Sequence, residues 1–180
     1  GLAPRRVAIA AGLDAFCQSI ESTWATKATD ESVEYALKAL TLHRDHLIPF
    51  CRDPNQKNTA SMIEAAMWAG RAINISRTTA AHAASYGLTS RFGIPHGYAV
   101  FLCLPFFFDF NSGISEETRT EGVCLDKLRR RISQTDAVFR DGSYDSTLSF
   151  FEALRDQVPS DSLLKGTQWS QDSLDYLLSS

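Results

Sequence analysis

A chain of 180 residues suits one domain and can bury a sizeable core. With 44% hydrophobic and 22% charged residues it reads as globular rather than disordered. A net charge of −3 and a pI near 5.8 leave no basic field for nucleic acid.

The periodicities are helical from the start. Gly12 to Thr23 reads as a helix carrying Asp14, Gln18 and Glu21. Asp30 can cap a second helix, whose apolar positions Val33, Leu37, Leu40 and Leu47 follow the 3.6-residue period. Cys51 to Lys57, containing Pro54, reads as a polar connection. A third helix begins near Asn58 to Ser61, where Ser61 and Glu64 have capping-box spacing. Its Ala65, Ala66, Ala69, Gly70 and Ala72 imply close backbone approach to a neighbour.

Ser76 to Arg91 continues as a helical piece carrying His82. Gly93-Ile94-Pro95 is a turn, and Pro95 opens a helix from His96 through Phe108. That helix is apolar nearly all round, which predicts burial, and Pro105 is expected to kink or end it. Glu116 to Ile132 is amphipathic and charged; its Lys127, Arg129, Arg130 and Arg131 read as a solvated face. Asp145 or Ser146 caps a helix through Arg155, and Ser170 caps a last one to Leu178. No strand pattern, repeat or low-complexity tract interrupts this. The expected fold is all-α, a bundle of about seven helices in a single domain over residues 1–180.

The apolar run Tyr98 to Phe108 is too short for a membrane span, which needs about 20 residues, and no signal peptide is visible. Cys17, Cys51, Cys103 and Cys124 form no CxxC pair and read as reduced thiols of a cytoplasmic protein. There is no GxGxxG or Walker A loop, hence no nucleotide motif in this chain.

The residues with chemistry to offer are Asp14, Gln18, His82 and His96. Asp14 and Gln18, four apart, share a helix face. A carboxylate and two imidazoles would give one divalent metal three ligands and open positions. Spacing alone leaves a second reading, in which His82 is a satisfied core histidine and His96 merely begins a helix. His43 and His46, three apart beside Asp45, are read as surface residues.

Five stretches, taken in order, resemble the iron-dependent (group III) alcohol dehydrogenases. They are GLDAFCQSIES (Gly12 to Ser22), AAMWAGRAIN (Ala65 to Asn74), TTAAHAASYGL (Thr78 to Leu88), GIPHGYA (Gly93 to Ala99) and LPFFFDFN (Leu104 to Asn111). The resemblance implies the helical, metal-holding C-terminal domain of a two-domain enzyme, related in fold to the dehydroquinate synthases. The dinucleotide-binding N-terminal domain would then be absent from this chain. It implies Asp14, Gln18, His82 and His96 as ligands to Fe²⁺ or Zn²⁺, with Gln18 standing where the family most often has histidine. It implies NAD(P)H bound through the absent domain and homodimers as a possible assembly.

The wording of these stretches is most similar to the branch that includes phosphonoacetaldehyde reductases. Reduction of a small anionic aldehyde is therefore the expected activity of the whole enzyme, with the 180-residue chain inactive alone. Arg77, with Thr78 and Thr79, could bind the anionic group. Tyr86, four residues after His82, could face the cleft and assist proton transfer or packing. Two alternatives remain: a dehydroquinate-synthase-like metal enzyme, and a metal-free helical scaffold that has lost catalysis.

Overall fold

The computed structural model describes residues 3–119 and 121–158. Among these lie seven helices and no strand: α1 (Arg5–Trp24), α2 (Asp30–Arg52), α3 (Gln56–Ser76), α4 (Ala80–Phe92), α5 (His96–Ser112), α6 (Leu125–Arg140) and α7 (Thr147–Arg155). The all-α expectation holds. The helix expected from Ser170 to Leu178 lies outside the described residues.

The bundle is organised around α1, which packs on α2, α3, α5 and α6. Its second half is buried on nearly every side, with Phe16, Cys17, Ile20 and Glu21 at 0% exposure. A helix surrounded in this way shows little apolar periodicity. α1 begins at Arg5, about two turns before the expected Gly12, because Arg5 is drawn in. Its guanidinium donates to the carbonyls of Cys51 and Arg52 at the end of α2.

Helix ends follow side-chain caps. Thr29, not Asp30, caps α2, in a reciprocal box with Ser32. Asn55 caps α3 ahead of the expected Ser61–Glu64 box, by accepting from the Asn58 amide. Ser146 caps α7 as expected, through a box with Ser149. α6 starts at Leu125, nine residues after the expected Glu116, and residues 116–118 form a turn. The segment expected to run from Ser76 to Arg91 as one helix is broken at Arg77–Thr79.

The main core gathers aromatic rings from four helices. Phe16, Phe101, Phe139, Phe150 and Phe151 meet with ring centroids 4.7–6.4 Å apart in tilted and edge-to-face pairs. The small residues of α3 behave unequally. Ala65, Ala69 and Ala72 are fully buried and let α3 approach its neighbours. Gly70 is exposed, and a side chain there would meet nothing.

Two further expectations are corrected. His43 is fully buried rather than on the surface, its ring set edge-on to Phe16 at 5.6 Å; His46 is half-buried. The alternation of apolar residues around Arg44 and Asp45 hides this, since α2 turns one polar-looking position into the aromatic core. α5 is not buried all round: it continues through Pro105 to Ser112 and leaves Leu102, Phe106 and Phe110, spaced one turn apart, exposed. No helix among the described residues is long and apolar enough to cross a membrane.

Candidate metal centre

Three helices converge on one point. α1 carries Asp14, Gln18 and Glu21 on one face, one turn apart. α4 carries His82 in its first turn, and α5 begins with His96. The turn between α4 and α5 is set by Gly93, which ends α4 in the left-handed region at φ 64°, and by Pro95 just ahead of α5. Gly97 then lets the first turn of α5 lie against α1. A Cβ there would sit 1.9 Å from the carbonyl oxygen of Ala10 and 3.0 Å from the amide nitrogen of Asp14. Glycine at 97 thus brings His96 to Asp14.

The result is a compact donor set. Asp14 Oδ1 lies 3.2 Å from His82 Nε2 and 3.6 Å from His96 Nε2. One ligand atom from each of the three residues falls within 4.8 Å of the others. One carboxylate oxygen and two imidazole nitrogens, aimed at a shared point, suit a divalent transition metal. His82 is 4% exposed, whereas the His96 side chain is 38% exposed, so the site opens on the His96 side.

Glu21 is the functional residue that the sequence reading named without assigning a role. It is fully buried. Its Oε1 accepts from the Thr79 hydroxyl at 2.6 Å and from the amides of Thr79 and Ala81 at 3.2 and 3.0 Å. A carboxylate from α1 therefore caps the N-terminus of α4, where unpaired amides and the helix dipole favour an anion. Its Oε2 is hydrogen-bonded to His82 Nδ1. The proton on Nδ1 leaves Nε2 free to face the donor set, the usual support behind a metal-binding histidine. The available signal was Glu21's position two turns beyond Asp14 on the same face.

Burial by itself would lower the pKa of His82. The hydrogen bonds and charges of Asp14 and Glu21 outweigh it and raise the pKa from 6.5 to about 9 in the metal-free site. A metal would take the place of that proton.

The other expected site residues divide. Gln18 joins the group, but its Nε2 donates to Asp14 Oδ2 at 2.9 Å; a carboxylate can only accept, so the nitrogen end faces it. Tyr86 stacks on His96, with rings 5.9 Å apart and 12° from parallel, and is 62% exposed at the mouth. Ser85 is buried, donates to the His82 carbonyl and lies 3.4 Å from His96 Nδ1.

Thr79 makes contacts within the fold. Its hydroxyl donates to Glu21 and accepts from Trp24 Nε1, which leaves it no free donor for a substrate. Thr78 and Arg77 are exposed in the segment leading into α4. Arg77 ends α3 with φ 66° and ψ 169°, and its guanidinium makes no ion pair among the described residues.

Known proteins share the family and the fold. Residues 8–156 match the model of the Fe-containing alcohol dehydrogenase family, C-terminal part. A phosphonoacetaldehyde reductase from Streptomyces viridochromogenes is 36% identical over 111 residues, covering 61% of this chain and 28% of that protein. An iron-containing alcohol dehydrogenase from Thermotoga maritima superposes with a TM-score of 0.75 at 22% identity, over 98% of this chain and 42% of its own. A sulfoacetaldehyde reductase from Bifidobacterium kashiwanohense, solved with NAD⁺, gives 0.71 at 23%, over 98% of this chain and 44% of its own. The chain thus spans less than half the length of each of these relatives.

Proposed function

Because the chain belongs to the Fe-containing alcohol dehydrogenase family, we propose that it is the metal-holding part of an NAD(P)H-dependent aldehyde reductase. The observation that carries this reading is the convergence of Asp14 Oδ1, His82 Nε2 and His96 Nε2 on one point. Asp14, His82 and His96 would hold Fe²⁺ or Zn²⁺, which supplies Lewis-acid polarisation of an aldehyde carbonyl when bound.

The chain's own groups do the rest. Glu21 keeps the His82 proton on Nδ1, so that Nε2 remains a donor atom. Ser85 backs the His96 ring from inside the protein. Tyr86, on the open side, can give the Oη proton to the product oxygen and shield the site from water. Hydride addition at the carbonyl carbon and protonation of its oxygen together make the alcohol. The hydride donor is assigned to NAD(P)H held by another part of the whole protein, since this chain has no dinucleotide motif.

A small aldehyde with an anionic tail is the proposed substrate class. The 36% identity with a phosphonoacetaldehyde reductase supports it, as does the exposed cation of Arg77 at the approach to α4. The localisation that fits is the cytoplasm, from the free cysteines and the cofactor.

The test begins with metal content of the purified chain and of Asp14→Ala and His96→Ala. One metal per chain, lost in both variants, supports the reading; the whole enzyme should then reduce phosphonoacetaldehyde in preference to an uncharged aldehyde of similar size. A whole enzyme without metal, and without reductase activity, would leave only a helical scaffold.

A further inference from the structure

We propose that Gln18 is a positioning residue for Asp14 and not a metal ligand, so that the protein supplies three donor atoms and Asp14 binds through one oxygen. This rests on the metal site proposed above and assigns the one residue of its sequence pattern whose chemistry differs from the rest.

The Asp14 carboxylate carries the assignment. Its two oxygens are used differently. Oδ1 faces both imidazole Nε2 atoms. Oδ2 takes the Gln18 amide N–H at 2.9 Å, and no other donor reaches it among the described residues. Gln18 sits one helical turn on from Asp14, half-buried, where the side chain can reach back along α1. Turning the amide to offer its oxygen to a metal would leave Oδ2 without its donor among the described residues. An amide oxygen is also a poor donor beside two imidazoles. Holding Oδ2 is thus the role for which the side chain is already set.

The consequence is a site with more open positions than one in which a fourth side chain coordinates. With Oδ2 held by Gln18, binding through Oδ1 alone is favoured over bidentate binding. The half-exposed His96 side then keeps room for a substrate oxygen.

The experiment is a Co²⁺ titration of the 180-residue chain, of Gln18→Leu and of His96→Ala, reading affinity by chelator competition and coordination by the visible absorption spectrum. Gln18→Leu should still take up one Co²⁺, about tenfold more weakly. Its absorption should weaken as the freed Oδ2 joins the metal and raises the coordination number. His96→Ala should abolish uptake. A loss in Gln18→Leu as deep as that of His96→Ala makes Gln18 a ligand and overturns the proposal. An unchanged affinity and spectrum also overturns it, because the side chain is then idle. No Co²⁺ uptake by the unaltered chain removes the metal site itself, and this proposal with it. Should Gln18→Leu fail to fold, a crystal structure of the unaltered chain with Zn²⁺ decides. The Gln18 nitrogen on Asp14 Oδ2 upholds the assignment; its oxygen at about 2.0–2.2 Å from the metal refutes it.

Discussion

The carbonyl oxygen of Ala10 occupies the space in which a side chain at position 97 would begin, 1.9 Å from an ideal Cβ on Gly97. The obstacle is backbone, in the middle of α1, so it cannot rotate away. Carbon and oxygen need well over 3 Å, and Gly97→Ala must push the start of α5 off α1. The expected cost is about 1–3 kcal/mol. Because His96 is the next residue back, metal affinity should fall as well. Gly93→Ala is the control: its φ of 64° strains any other residue, but nothing lies within 4 Å of its Cβ position. It should lose about 1 kcal/mol and keep the metal. Thermal unfolding and metal titration of the two variants separate these outcomes. Equal metal affinity in both would show that the α1–α5 approach does not place His96.

Glu21 joins the fold and the chemistry through one carboxylate. Glu21→Gln keeps the shape and an oxygen for the amides of Thr79 and Ala81. Its new N–H group must then face His82 Nδ1. That nitrogen has to become an acceptor, and the ring proton moves to Nε2, on the metal side. Metal affinity should fall about 10–100-fold. Stability without metal should fall by about 1–2 kcal/mol, from a weaker cap at the N-terminus of α4. Chelator competition and metal-free melting measure the two losses apart. A lower melting temperature with unchanged metal affinity would confine Glu21 to capping.

How much of this could be read beforehand depended on the kind of contact. The convergence of Asp14, His82 and His96 was legible because candidate ligands are of a few residue types and stood in recognisable phrases. The seven described helices followed the apolar period, except where burial erased it. The enclosed second half of α1 shows little apolar period, and its exposed start is held by Arg5, which binds the end of α2. α5 looked buried all round because sequence shows that a residue is apolar, not that a neighbour exists to cover it; Phe106 remains 68% exposed. Glu21 and Thr79 were missed as partners because they lie 58 residues apart and meet only when α4 docks on α1. The direction of the Gln18 amide depends on the rotamer of Asp14, which no spacing rule encodes.

Arg77 holds a backbone conformation, φ 66° and ψ 169°, that is close to glycine-only. The strain arises where the chain must leave α3 and present Thr79 to Glu21 within two residues. Arg77→Gly should therefore raise stability by about 1 kcal/mol, read as a higher melting temperature. In the whole enzyme the same change removes the proposed cation for an anionic substrate. It should raise KM for phosphonoacetaldehyde and leave KM for an uncharged aldehyde unchanged. Parallel changes for both substrates would assign Arg77 to the loop's geometry alone.

His43 predicts how the fold responds to acid. The ring is fully buried against Phe16, and neither nitrogen has a hydrogen-bond partner of full geometry. Burial lowers its pKa from 6.5 to about 3, against a smaller upward pull from the Ala39 carbonyl one turn back. The unfolded chain therefore takes up a proton near pH 6.5 while the folded chain stays neutral. Above pH 6.5 both states are neutral and His43 has no effect on the balance. As pH falls from 6.5 toward 3, the unfolded state gains on the folded one by up to about 1.4 kcal/mol per pH unit. His43→Leu removes both the titration and two unpaired buried nitrogens, at some cost in ring packing. The variant should have a flatter stability profile between pH 6.5 and 4 than the unaltered chain, while the two are within about 2 kcal/mol at pH 7.5. Denaturant melts at several pH values, on metal-free protein so that the His82 site does not contribute metal linkage, give the two slopes. If those slopes are equal, acid sensitivity comes from the carboxylates and not from this histidine.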